Sequence, residues 1–87
     1  MSWRVVYTKQ AQKDAKKLSA AGLWSAAEQL IEIIKDNPWQ NPPPVKKLVG
    51  DLTGAFSRRI NIKHRLIYEI IEEKSTVKII RMWTHYE

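Results

Sequence analysis

Apolar positions follow two different periods along the chain. Trp3 to Tyr7 (WRVVY) are aromatic or β-branched and stop at Thr8, which is the composition of a short strand. Beyond Thr8 the spacing widens: Ala11, Ala15 and Leu18 recur at i, i+4 and i+7, with Lys9, Lys13 and Lys16 at similar spacing on another face. This pattern predicts an amphipathic helix, capped by Thr8 and basic on its outer side. Gly22 is placed to end that helix in the left-handed conformation, and Ser25 with Glu28 has capping-box spacing for a second one. The stripe of the second helix is Leu23, Ala27, Leu30, Ile31 and Ile34. It stops at Asn37-Pro38, because a residue before proline disfavours the α conformation.

The next segment, WQNPPPVKKL, reads as a connecting loop, since proline blocks both a helix and a central strand. After Gly50, Asp51 and Gly54 come three runs rich in β-branched and aromatic residues: FSRRINI, RLIYEII and TVKIIRMW. Polar turns at about 61–64 and 72–75 separate them into three hairpin-linked strands. The expected order is β-α-α-β-β-β over residues 1–87 as one α+β domain, with the helical hairpin packed on one face of a mostly antiparallel four-stranded sheet. Strand alternation sets Ser57 and Arg59 on one face and Arg58, Ile60 and Ile62 on the other, so one arginine of the pair points away from the helices into an open basic face. Arg65 and Arg81 are candidates to join it.

Composition narrows the chemistry. Eighty-seven residues give room for one core, and the 44% apolar share is too high for a disordered polyelectrolyte. With no Cys there is no disulfide framework, thiolate nucleophile or Cys-based zinc site. The longest uncharged run, Leu18 to Ala27, is far short of the roughly 20 apolar residues that span a bilayer, and the first twenty residues lack the apolar block of a secretory signal. The expectation is a cytoplasmic protein with no membrane partner.

The net charge of +6 is unevenly placed. Residues 44–68 hold Lys46, Lys47, Arg58, Arg59, Lys63 and Arg65 against Asp51 alone, the field of a surface that attracts phosphate backbones. A solvated, solubilising lysine cluster has the same composition.

Most enzyme classes need equipment that is missing here: a metal triad, a Gly-rich phosphate loop or a Ser-His-Asp signal. RNA cleavage needs less, because the 2′-hydroxyl of the substrate is itself the nucleophile. The protein supplies a base, cations for the charged intermediate and an acid for the leaving oxygen, with no cofactor. Arginine suits the cationic role through its permanently charged planar fork, and His85 suits the acid because imidazole titrates near pH 6.5. Tyr86 either stacks on an extruded base or closes the edge of the core. His64 lies in a predicted turn and is assigned a turn or capping role.

The run GAFSRRINIKHRLIYEI and the ending RMWTHYE resemble the YoeB/Txe branch of the RelE-type toxins, and the likeness extends through KLVGDL and the helical hairpin. The resemblance implies a toxin of a bacterial toxin–antitoxin module, a metal-independent endoribonuclease that cuts messenger RNA in the ribosomal A site. It implies a YefM/Phd-type antitoxin as partner, operator DNA bound only through the antitoxin complex, and room for a homodimer. By position, Arg65 matches the family's catalytic phosphate-binding arginine, Arg59 a further phosphate contact, His85 the general acid and Tyr86 the aromatic that orients the scissile nucleotide.

One position departs from the family. Where similar proteins read Glu before Lys-Leu, as the general base, this chain has Lys46 before Lys47-Leu48. Three accounts stand: Lys46 is itself the base once deprotonated, it only stabilises negative charge, or the enzyme is weakened into a homologue that binds ribosome, RNA and antitoxin without efficient cleavage. Asp51, the only carboxylate nearby in sequence, reads as turn chemistry between Gly50 and Leu52.

Overall fold

A computed structural model describes residues 2–42, 44–48 and 54–83. Strand β1 is Arg4–Tyr7, followed by α1 (Lys9–Ala20) and α2 (Trp24–Asp36), then β2 (Lys46–Lys47), β3 (Phe56–Arg59), β4 (Arg65–Ile71) and β5 (Thr76–Arg81). The sheet order is β1-β5-β4-β3-β2, with β1 parallel to β5 and every other pairing antiparallel. The expected α+β class, element order and mostly antiparallel sheet are what the chain forms. The strand count differs: Lys46 and Lys47 pair with Ser57 and Phe56 as a fifth, two-residue edge strand. Proline has no N–H to donate, but the two lysines that follow the run do, and the free edge of β3 receives them.

The sequence builds these elements by local devices. The Thr8 hydroxyl accepts from the Ala11 N–H at 3.0 Å, as an N-cap should, and donates to the Ile80 carbonyl at 2.9 Å, so one side chain starts α1 and ties it to β5. At the other end Gly22 sits at φ +74°. The Leu23 N–H reaches Leu18 O at 2.8 Å and the Gly22 N–H reaches Ser19 O at 3.1 Å, the paired bonds of a Schellman termination. Leu23 then serves directly as the residue before α2, so Ser25 lies inside that helix and its expected capping box does not form. The turn after β4 is a single 3-10 turn, Glu72–Lys74, closed by Ser75 at φ 47°.

The core lies between the helices and one face of the sheet, from Ala11, Leu18, Ala27, Leu30, Ile31 and Ile34 on one side to Leu66, Tyr68, Val77, Ile79 and Met82 on the other. Fully burying one Leu or Ile is worth about 1.5–3 kcal/mol, so this layer dominates stability. A smaller cluster of Leu48, Ala55 and Ile67, with Ile80 beside it, covers part of the opposite face. That face is therefore partly apolar, with Lys46, Arg59 and Arg65 at its β2–β3–β4 end.

Candidate functional site

Three of the predicted cations meet on the face away from the helices. Register sets Lys46 opposite Ser57 and Arg59 opposite Arg65, all on the Ile67 side of the sheet. Lys46, Arg59 and Arg65, with Pro44 and Val45, line a concavity of about 510 Å³. Arg65 is held in place: its Nε donates to the buried Ser57 hydroxyl at 2.5 Å, and its two terminal amino groups make no hydrogen bond among the described residues. Arg59 and Lys46 are exposed and carry no ion pair among the described residues. Three positive charges share a wall in which no described residue is an acid, so the site fits a polyanion that bridges them.

Other predicted positions lie elsewhere. Arg58 points to the helix side and is fully buried, so it does not belong to the phosphate-binding set. Its guanidinium donates to the Tyr68 hydroxyl at 3.0 Å, to Pro38 O at 3.1 Å and to Gln40 O at 2.7 Å, while the Tyr68 hydroxyl donates to Pro38 O at 2.7 Å. Burial, offset by Arg58, raises the pKa of Tyr68. This knot fastens the start of the proline-rich segment to the sheet.

Lys47 follows the alternation of β2 to the side opposite Lys46. It lines a second concavity of about 780 Å³ with Trp39, Phe56, Ile70, Glu72 and Glu73. Lys63 is exposed in the β3–β4 turn, outside the Lys46 concavity. Arg81 does not join the basic face either, because it bonds the Asp14 carboxylate at 2.9 Å on the helix side. His85, Tyr86 and Asp51 lie outside the described residues.

Strand β3 is shorter, and the turn after it longer, than the sequence suggests. The Asn61 carboxamide accepts from the N–H of Lys63 and of His64, and His64 O accepts from Ile60 and Asn61, so β3 stops at Arg59 and Ile62 stands 82% exposed. His64 has the expected turn role in its backbone. Its ring has another, stacked on Trp83 with centroids 3.9 Å apart and planes 20° off parallel.

Asp14 is the residue that sequence reasoning passed over. It is fully buried in α1, and its carboxylate accepts from Gln10 Nε2, Arg81 Nε and the Met82 N–H at 2.9–3.0 Å. Burial pushes its pKa up, but the Met82 N–H, Arg81, Gln10 and the Trp83 N–H outweigh burial and hold it below the ordinary aspartate value. Its spacing was a usable signal: Asp14 is three residues from Ala11 and four from Leu18, on the apolar stripe.

No cluster of three His, Asp or Glu side chains among the described residues is placed to hold a metal ion. Nor is any described helix long and apolar enough to cross a membrane.

Comparison with known proteins gives one consistent answer. Residues 7–86 match the family described as the YoeB-like toxin of bacterial type II toxin-antitoxin systems. A toxin YoeB of Synechocystis sp. is 34% identical over 76 residues, spanning 87% of this chain and 79% of that protein. The fold superposes on a YoeB/ParE toxin from Agrobacterium tumefaciens with a TM-score of 0.86 at 26% identity, over 95% of this chain and 99% of the other. It also superposes on the toxin of a heterotetrameric YoeB-YefM complex from Staphylococcus aureus, with a TM-score of 0.81 at 28% identity, over 99% and 100% of the two chains.

Proposed function

Since this chain belongs to the YoeB-like toxins of bacterial type II toxin-antitoxin systems, we propose that it is an endoribonuclease that cuts messenger RNA in the ribosomal A site and so arrests translation. The observation that carries the reading is the convergence of Lys46, Arg59 and Arg65 on one concavity of the exposed sheet face. In the proposed reaction the RNA 2′-hydroxyl attacks the adjacent phosphorus and gives its proton to a base. The bond from phosphorus to the 5′ oxygen then breaks as that oxygen takes a proton from an acid. The products are a 2′,3′-cyclic phosphate and a 5′-hydroxyl, with no redox change and no metal required.

Arg65 stabilises the extra negative charge of the intermediate, and its Ser57 contact limits the reorganisation needed to do so. Arg59 binds the neighbouring phosphate. His85 is the acid, and Tyr86 stacks on the nucleotide. Lys46, assigned the base's position by its match to the family, shares a wall with both arginines, which supports that assignment. An ammonium cannot accept a proton while it holds its own, which supports the second reading, a weakened nuclease that still binds ribosome, RNA and antitoxin. The partner proposed for this chain is an antitoxin of the YefM type, as in the staphylococcal complex, whose acidic, partly disordered segment would cover the cationic wall, with operator DNA bound only through that pair.

Mapping messenger 5′ ends on programmed ribosomes tests the reading: defined A-site cuts are expected, and deletion of residues 85–87 should abolish them while ribosome binding persists. Intact messenger during translation arrest would select the weakened form. A general base is worth about 10²–10⁴ in rate, so Lys46→Glu should accelerate single-turnover cleavage toward that factor if Lys46 only displaces a carboxylate. It should slow cleavage if Lys46 is the working base.

A further inference from the structure

Two side chains that the proposed chemistry does not use converge on the same three residues. Asp14 reaches across from α1, and two of its three hydrogen-bond donors, the Arg81 guanidinium and the Met82 N–H, belong to the end of β5 and the residue just after it. A buried carboxylate is costly unless surrounded by donors, so this one makes α1 a bracket for residues 81–83. From the other side, His64 lies flat on Trp83, while its buried Nδ1 has no hydrogen-bond partner among the described residues. The stack, rather than a polar contact, accounts for the placement of that imidazole. His64 directly precedes Arg65, and continuing the Ile67–Arg81 register by two residues sets Trp83 level with Arg65.

We propose that Asp14 and His64 are positioning residues: together they fix the backbone and ring orientation of Arg81–Trp83, and so determine where the following residues, His85 and Tyr86 among them, are delivered relative to Arg65. The inference rests on the reading of His85 as the acid. An acid must come within hydrogen-bond reach of its leaving oxygen, and a displacement of about 1 Å can cost about 10²-fold in rate without any loss of binding.

The test uses the full chain on messenger-programmed ribosomes, with circular dichroism and melting curves confirming that each variant is folded. His64→Ala should lower the saturating single-turnover rate by about tenfold or more while the half-saturating ribosome concentration stays within about twofold. His64→Phe, which restores a flat ring and has no nitrogen, should recover the rate to within about threefold. Asp14→Asn, which removes the charge and keeps the shape, should also lower the rate. If His64→Ala is poorly folded, His64→Leu takes its place, keeping volume without a flat face. NMR gives a readout independent of activity: the imidazole signals of His85 should shift in His64→Ala and Asp14→Asn, and return in His64→Phe.

Parental cleavage by folded His64→Ala, or unmoved His85 signals, overturns the proposal. So does His64→Phe remaining as slow as His64→Ala, which would make the imidazole itself the acting group. Deletion of residues 85–87 separates the two levels. Full cleavage after that deletion sinks the acid assignment itself, whereas lost cleavage after deletion with a fully active His64→Ala sinks only the positioning role.

Discussion

Arg58 and Arg59 are neighbours with opposite fates, because consecutive strand residues face opposite sides and only one side is roofed. Alternation makes that split legible, with one arginine of the pair on each face. It does not tell which arginine acquires a roof, because the roof is the carbonyl pair Pro38 and Gln40 from a segment twenty residues earlier. The same limit hid the His64 stack, since nothing local relates residue 64 to residue 83. The two arginines should therefore behave differently in urea unfolding. Arg58→Ala leaves two carbonyls and the Tyr68 hydroxyl without their charged donor, and should cost about 3 kcal/mol. Arg59→Ala should change stability by less than about 0.5 kcal/mol, and equal losses at the two positions would contradict the buried knot.

At the scale of elements, what could be read in advance was whatever a local period or cap enforces. The stripe of α2, the Thr8 cap, Gly22 and the turn at 72–75 are all visible in the sequence for that reason. The edge strand Lys46–Lys47 was not, since two residues carry no period and their pairing depends on β3. The contact between α1 and the end of β5 also depends on tertiary structure, and it has a pH signature. The carboxyl pKa of Asp14 is lower in the folded chain than in the unfolded one. Its contribution is therefore complete above the ordinary aspartate value of about 3.9 and disappears as the pH falls through the lower folded value. In denaturant titrations from pH 6 downward, Asp14→Asn should be less stable than the parent near neutrality, and the gap should narrow in acid. A constant gap would mean that the carboxylate charge contributes nothing.

For the whole molecule, the distribution of charge matters more than its sum. Lys46, Arg59 and Arg65 form the wall proposed to meet phosphates, Arg58 is enclosed, Arg81 is paired, and Lys47 faces the other concavity. Each phosphate neutralised contributes about 0.7–0.9 to the log–log slope of binding against salt. Arg59→Gln should thus flatten the slope for ribosome or RNA binding by just under one unit, and Lys47→Gln should leave it nearly unchanged. An equal effect at both positions would place the interface somewhere other than the Arg59 wall.

The parallel pairing of β1 with β5 constrains how the chain can fold. Arg4 has its sheet partner at Thr76, and the Thr8 hydroxyl bonds Ile80 across a separation of 72 residues. Closing a flexible loop of that length costs about 4 kcal/mol in chain entropy beyond the constant term, and the bonds of a four-residue strand must offset it together with the helices packed above. The helical hairpin and the β3–β4 hairpin can form from local contacts, but β1 has no place until residues 76–81 exist. Of the five strands described, the one made first is therefore among the last to be seated. Completion of the sheet is tied to the far end of the chain, and folding should be limited by this distant closure rather than by either hairpin.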